Sequence, residues 1–283
     1  MAQPSYSNES IKNFSNLSID NGKYMFRYLC YSNIDLIKSH IIPHINIGLE
    51  NEAVLIEFRP LPHIEFVLRN AIIKLGPTFS HTIVCGNSNY DMIQNICKDI
   101  SENIKIIKLE WDSITINDYN NMLYDIHFWN RFSSKKILIY QEDTIIFKPN
   151  ILDFIEYDYI GAPWHLSDMK NNEPNVGNGG FSLRNRQIMI DLLVNKHSFD
   201  NLFKDTSHEH NSGTKLDHVA EDHFFSKCMY LTNHGNLAHA NIAFQFATEN
   251  LPNPDSLGGH QFWNHDINWI DRMEKLFDEY RSI

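Results

Sequence analysis

The sequence predicts an α/β protein built on a mostly parallel central sheet with helices on both faces. Three observations carry that prediction. Apolar runs of strand length alternate with stretches of helical spacing from about residue 53 to residue 140. The 283 residues are 42% apolar, 21% charged and 12% aromatic, ordinary values for a chain that buries a sizeable core. Nowhere do about 18 apolar residues follow one another, so no membrane span is expected.

In chain order, residues up to about 50 begin polar and Asn/Ser-rich, then run through Tyr24 to Leu49 with mixed periodicity. They are expected to form an N-terminal extension, 1–50, wrapped on a core domain, 51–283. Ala53 to Phe58 is a short apolar run ended by Arg59-Pro60, and Ile64 to Leu75 has helical spacing before Gly76-Pro77. His81 to Cys85 is a second strand, Tyr90 to Ile100 a helix, Ile104 to Leu109 a third strand, Asp118 to Trp129 a helix and Lys136 to Tyr140 a fourth strand. Beyond it, Thr144 to Phe147 and Ile155 to Tyr159 read as strands, and Asn171 to Asn178 as a loop leading through Gly179-Gly180 and Phe181 to Arg184 into a helix over Asn185 to Asn195. His197 to Lys215 is polar, Val219 to Tyr230 looks helical, and Ile267 to Tyr280 is amphipathic. No internal repeat is visible.

Composition excludes several functions. Acidic residues outnumber basic ones 35 to 24, a formal charge of -11, which opposes nonspecific binding to nucleic acid or anionic lipid. Cys30, Cys85, Cys97 and Cys228 form no C-x-x-C pair, so they are expected as reduced, buried thiols in a cytoplasmic protein. The first residues lack a basic region followed by an apolar run, and the sequons at Asn8, Asn13 and Asn16 matter only in a secretory lumen. Asn makes up about one residue in nine and Ile about one in eight, which suggests an AT-rich genome such as those of large DNA viruses.

In such sheets, ligands sit outside the carboxyl ends of the strands. Those positions are Phe58-Arg59, Gly86-Asn87 and Gln141-Glu142-Asp143. No G-x-G-x-x-G or G-x-x-x-x-G-K-[ST] follows any strand, which argues against a dinucleotide oxidoreductase or a P-loop NTPase. If a nucleotide binds, a divalent metal held by carboxylates after the fourth strand is the substitute for a glycine cradle. Taken alone, Glu142 and Asp143 equally describe the start of a solvated turn. Three further elements follow in order: Gly177-Asn178-Gly179-Gly180, the acidic pair Glu221-Asp222, and the late histidine His260.

That order resembles the nucleotide-sugar glycosyltransferases of the GT-A (Rossmann-like) fold, with their DxD metal motif, glycine-rich acceptor-side loop, x-Glu-Asp motif and C-terminal histidine. The chain looks more closely still like an uncharacterised glycosyltransferase-like family typified by an Arg-Pro strand end, here Arg59-Pro60, and a Q-x-D motif, here Gln141-Glu142-Asp143. Its longer motifs are Y-D-Y-I-G-A-P-W, at Tyr157 to Trp164, and G-N-G-G-F-S-L-R, at Gly177 to Arg184. The resemblance covers roughly residues 50 to 265.

It implies a metal-dependent transferase of hexose type, moving a sugar from a UDP- or GDP-sugar to a glycan or other hydroxyl acceptor, with inversion as the default. Asp143 and His260 are the implied ligands of Mn2+ or Mg2+; Arg59, Asn87, Gln141, Glu142 and Asp143 the donor side; Asp222 the base, with Glu221 as alternate; and Trp164, Gly177, Asn178, Gly179 and Gly180 the sugar contacts. Each has a plainer reading: Glu221-Asp222 favour a helix N-terminus, Trp164 is core, and Arg59 sits in a surface ion pair. Gln141, neutral where the fold usually has its first aspartate, leaves a second reading open: a nucleotide- or carbohydrate-binding module without turnover. His208, Glu209, His210, His218 and His223 lack H-E-x-x-H spacing, which counts against a zinc hydrolase.

Overall fold

The computed structural model describes residues 19–165, 175–196, 198–199 and 219–282. The three sequons, part of the 171–178 loop, and His208, Glu209, His210 and His218 lie outside them. In chain order the elements are α1 (Ile19–Ser32), α2 (Ile34–Lys38), β1 (Asn51–Ile56), α3 (Ile64–Leu75), β2 (Ser80–Cys85), α4 (Tyr90–Ile100), β3 (Lys105–Lys108), α5 (Ile116–Leu123), α6 (Ile126–Trp129) and β4 (Lys136–Tyr140). There follow β5 (Thr144–Ile146), β6 (Tyr159–Ile160), β7 (Ala162–Pro163), β8 (Val176–Gly177), β9 (Phe181–Asn185), α7 (Arg186–Val194), α8 (Glu221–Thr232), α9 (Ala240–Phe246), β10 (Ala247–Thr248), β11 (Gly258–His260) and α10 (Trp269–Arg281).

The fold is α/β, with a six-stranded sheet in the order β3-β2-β1-β4-β9-β6, flanked by helices. β3, β2, β1 and β4 run parallel; β9 is antiparallel to both β4 and β6. The centre of the sheet is sealed: every residue of β2, β4 and β9 is buried. That is why β4 reads as a continuous rather than an alternating apolar run. All four cysteines are buried. No helix among the described residues is long and apolar enough to cross a membrane.

Four elements differ from the sequence-based expectation. β1 ends at Ile56 rather than Phe58, because Glu57 Oε1 accepts the N–H groups of Phe58 and Arg59 at 2.9 and 2.8 Å and turns the chain out of the ladder. The helix expected over 118–129 is two helices: a Thr115/Asp118 capping box starts α5, and Asp125 accepts the His127 N–H to start α6. Of the strand expected over 155–159 only Tyr159 is paired, as the first residue of the two-residue β6, and the residues before it continue the turn that begins with a 3-10 segment at Ile151–Phe154. Asp158, just before β6, is tied to the sheet by accepting from Lys136 Nζ (3.1 Å), Asn185 Nδ2 (2.7 Å) and the Asn236 N–H (2.9 Å). Finally, Phe181 to Asn185 forms β9, inserted between β4 and β6.

β5 leaves the main sheet for a three-stranded one, ordered β10-β11-β5, in which His260 pairs with Thr144. Residues 19–38 pack on the core. Phe26 is fully buried, with its ring 4.8 Å from that of Trp263 and 5.9 Å from that of Phe262. Gly22 lies so close to Trp263 that a Cβ there would come within 2.5 Å of the indole.

Candidate active site

The chain winds from β1 outward to β2 and β3, then returns to place β4 on the other side of β1, so the topological switch point lies between β1 and β4. At their carboxyl ends opens a cleft of about 430 Å³. Its walls come from Glu57 to Arg59, Gln141 and Asp143, the start of α5, Gly179-Gly180, the first turn of α8, and Lys23 of α1.

Strand pairing explains how Asp143 and His260 meet across more than a hundred residues. Asp143 immediately precedes β5, His260 ends β11 opposite Thr144, and the Gln261 N–H donates to the Asp143 carbonyl at 3.1 Å, one step beyond the ladder. Asp143 Oδ1 then lies 3.2 Å from His260 Nε2, close enough for an ion pair but without a hydrogen bond, and Oδ2 accepts from Gln261 Nε2 at 3.0 Å. Glu249 fixes the imidazole from behind, its Oε1 2.9 Å from Nδ1. Burial opposes protonation of His260, but Asp143 and Glu249 on either side raise it to about 10. Burial likewise pushes the Asp143 carboxyl up, and the charge of His260 outweighs it to hold the group below its usual range.

A carboxylate oxygen buried without a hydrogen bond, facing an imidazole nitrogen oriented by a second carboxylate, is a pair that could hold a divalent cation of the Mn2+ kind in exchange for the proton on that nitrogen. No group of three His, Cys, Asp or Glu side chains able to hold a metal occurs among the described residues.

Glu142 faces away from the cleft. Fully buried, it takes Arg27 on both oxygens (Nε–Oε2 3.2 Å, with Nη2 on Oε1), His63 Nε2 at 2.7 Å and Arg59 Nη2 at 3.1 Å. Burial pushes its carboxyl up, but the hydrogen bonds from His63 and Arg27 outweigh that and hold it low. Its lone pairs are spent inside the protein, so it joins α1, α3 and the end of β1 to β4 rather than meeting a nucleotide. Arg59 lines the cleft while bound to Glu57 (Nε–Oε1 2.8 Å, Nη2–Oε2 2.6 Å). Gln141 also lines it. Asn87 is exposed and outside the lining.

Adjacent Glu221 and Asp222 diverge at the start of α8. Glu221 is 1% exposed and forms a bidentate pair with Arg184, Nη1–Oε2 2.5 Å and Nη2–Oε1 2.9 Å. Burial raises its pKa against the pull of Arg184. Asp222 lines the cleft, with Oδ2 accepting the Asn178 N–H at 2.9 Å and Oδ1 the His223 N–H at 2.9 Å. Each carboxylate oxygen of Asp222 keeps a lone pair for a ligand proton, whereas those of Glu221 are held by the guanidinium.

In the loop Gly177 to Gly180, the glycines make room for the protein's own side chains. A Cβ at Gly180 would fall on the His260 imidazole, at Gly179 on Glu221 Oε1, and at Gly177 on the Trp164 indole. Asn178 takes the left-handed φ of 82°, and its Oδ1 accepts the N–H groups of Gly180 and Phe181 at 3.0 and 3.1 Å. Trp164 stacks on His223, with centroids 4.0 Å apart and planes 11° from parallel, and is not part of the cleft wall. Of the sequence-derived candidates, Arg59, Gln141, Asp143, Gly179, Gly180, Glu221 and Asp222 share the cleft wall, with His260 directly behind Asp143.

Sequence reasoning missed Lys23, Glu249, Gln261 and Tyr119, whose hydroxyl donates to the Gly179 carbonyl at 2.6 Å. None stands in a motif. Only Gln261, beside His260, had a neighbour that could have drawn notice.

The family described as "Protein of unknown function (DUF5672)" matches residues 103–260, more than half of the chain. The chain belongs to this family. The DUF5672 region contains Asp143, Glu221, Asp222, Glu249 and His260 but not Lys23, Arg27, Arg59 or His63. No curated protein matches the sequence significantly.

Among solved structures, the chain is similar to the mannosyltransferase PcManGT from Pyrobaculum calidifontis in complex with GDP-Man and Mn2+, at 10% identity and TM-score 0.41 over 81% of this chain and 65% of that one. It is also similar to apo glycosyltransferase GlyE of Streptococcus pneumoniae TIGR4 (12%, 0.44, 82% and 63%) and to apo mouse xyloside xylosyltransferase 1 (10%, 0.40, 65% and 82%). The chain thus spans less than two thirds of the length of PcManGT and GlyE. At such scores the functional reading rests on the chain's own residues.

Proposed function

We propose that this DUF5672 protein is a metal-dependent glycosyltransferase that moves a hexose-type sugar from a nucleoside diphosphate, UDP or GDP, to a hydroxyl of a glycan or similar acceptor. The observation that carries the reading is the convergence, in one cleft at the β1/β4 switch point, of the Asp143–His260 pair and the carboxylate of Asp222.

In this reading Asp143 and His260 hold Mn2+ or Mg2+. When bound, the ion supplies charge neutralisation of the diphosphate and of the departing nucleotide. Glu249 keeps His260 turned toward Asp143, and Gly180 leaves space for the ring. Asp222, held by the Asn178 N–H, accepts the proton of the acceptor hydroxyl as its oxygen bonds to the anomeric carbon. The bond from that carbon to the diphosphate oxygen breaks in the same displacement, and the nucleoside diphosphate departs with the bonding electron pair. One displacement inverts the anomeric centre.

The test is release of UDP or GDP from nucleotide sugars with Mn2+, with and without candidate acceptors. Metal-dependent release that is lost in both Asp143→Ala and Asp222→Asn supports the reading; no release from any nucleotide sugar overturns it. Gln141 favours the second reading, a binding module on the same scaffold, because a neutral amide contributes no charge to a cation site. Nucleotide binding without any donor hydrolysis would select that module.

A further inference from the structure

We propose that Lys23 of α1 is the diphosphate-binding residue of the cleft, so that the segment preceding the central sheet completes the donor site. The inference rests on the transferase reading for its ligand, a nucleoside diphosphate, and on three independent features of the structure for its placement.

The first is unused donor capacity. Of the two basic side chains lining the cleft among the described residues, Arg59 is committed to Glu57 and Glu142 through its Nε and Nη2. Lys23 donates no hydrogen bond to a described residue; its nearest counter-charge is Glu142 Oε1 at 3.9 Å. That oxygen already accepts from Arg27 and Arg59, and the other from Arg27 and His63. The ammonium therefore keeps its three donors for a ligand.

The second is location. Lys23 shares the cleft wall with Gln141, Asp143 and Gln261, and its charge reaches Asp143. An ammonium on that wall meets the phosphate oxygens of any ligand held at the Asp143–His260 pair.

The third is rigidity. Gly22 abuts Trp263 and Phe26 is fully buried, so the turn of helix that carries Lys23 is fixed on both sides of it in sequence. In a protein of net charge -11, a dianionic group approaches against the overall field, and a local cation on a rigid element offsets that repulsion.

The experiment is calorimetric titration of full-length wild type, Lys23→Gln, Lys23→Arg and Asp143→Ala with UDP, GDP, UMP and inorganic pyrophosphate, each with Mn2+, after thermal unfolding has shown that each variant is folded. Lys23→Gln is expected to lose about tenfold in diphosphate and pyrophosphate affinity and much less for UMP. Lys23→Arg is expected to stay within about threefold of wild type. Undiminished UDP, GDP and pyrophosphate binding in Lys23→Gln, with binding lost in Asp143→Ala, overturns the Lys23 assignment and leaves the transferase reading standing. Pyrophosphate binding that depends on Lys23 in a protein that binds neither UDP nor GDP supports the anion site and overturns the transferase reading. Absence of binding by all four probes to wild type overturns both.

Discussion

Arg184 and Glu221 face each other as a doubly hydrogen-bonded ion pair sealed from water, with the guanidinium carbon 5.9, 5.0 and 5.7 Å from the ring centroids of Trp129, Tyr159 and Phe225. The pair fastens the first turn of α8 to β9, which places the next residue, Asp222, in the cleft. Removing only the cation leaves a buried, uncompensated carboxylate. Arg184→Met is therefore expected to cost about 3–5 kcal/mol in urea unfolding, while Arg184→Met combined with Glu221→Leu regains most of that loss.

Asp222→Asn keeps an oxygen for the Asn178 N–H and gives up only the exposed hydrogen bond from the His223 N–H, which water can replace, so its unfolding midpoint should stay close to that of wild type. Removing the base should lower transfer by about 10²–10⁴-fold. Paired thermal melts and transfer rates check this; equal rates would dismiss Asp222 as the base.

Gly180→Ala pushes a methyl group into the His260 ring. The imidazole must leave its place between Asp143 and Glu249, and the expected outcome is weaker Mn2+ binding in a protein that still folds. The electron paramagnetic resonance signal of free Mn2+ during titration measures it.

Glu249 touches His260 rather than the cleft, yet it sets which imidazole nitrogen faces Asp143. Glu249→Ala should reduce Mn2+ affinity about 10–100-fold, and Glu249→Gln, which retains an acceptor oxygen, should fall between the two.

His81 on β2 is buried with neither ring nitrogen hydrogen-bonded, and burial lowers its pKa to about 3. Above the unfolded value of about 6.5 the imidazole is neutral in both states and has no effect on the pH dependence of stability. As the pH falls from there toward 3, the unfolded chain takes up a proton that the folded one refuses, and stability drops by up to about 1.4 kcal/mol per pH unit. His81→Gln should flatten this part of the stability profile measured by urea unfolding between pH 7 and pH 4.

Much of the scaffold was legible in the sequence because it is written in local pattern. Helix α3, helix α4 and strand β4 begin and end where apolar spacing and turn residues put them. β9 was hidden because its polar members, Ser182, Arg184 and Asn185, are buried by partners as remote as Glu221 and Asp158, so neither alternation nor an apolar run marks it. The same holds for the site. The order of Gln141 to Asp143, the glycine loop, Glu221-Asp222 and His260 was readable, and with it the candidates that line the cleft. From each acidic pair the resemblance singled out Asp143 and Asp222; the ion pairs that tie up Glu142 and Glu221 could not be read, because their partners Arg27, His63 and Arg184 come from elsewhere in the chain. Trp164 looked like a sugar platform only until its face was seen against His223.

The packing of Phe26 on Trp263 has a consequence for how the molecule is made. His40 Nε2 reaches the Tyr280 carbonyl at 2.7 Å and Lys74 reaches Glu279 at 2.6 Å, so early segments are stitched to the last helix as well. A nascent polypeptide leaving the ribosome can pair its first described helix with Glu142 early, but the seat of Phe26 on Trp263 is completed only after more than two hundred further residues have been synthesised. Closure of so distant a loop makes assembly slow, and until then the hydrophobic side of that helix is a target for chaperones.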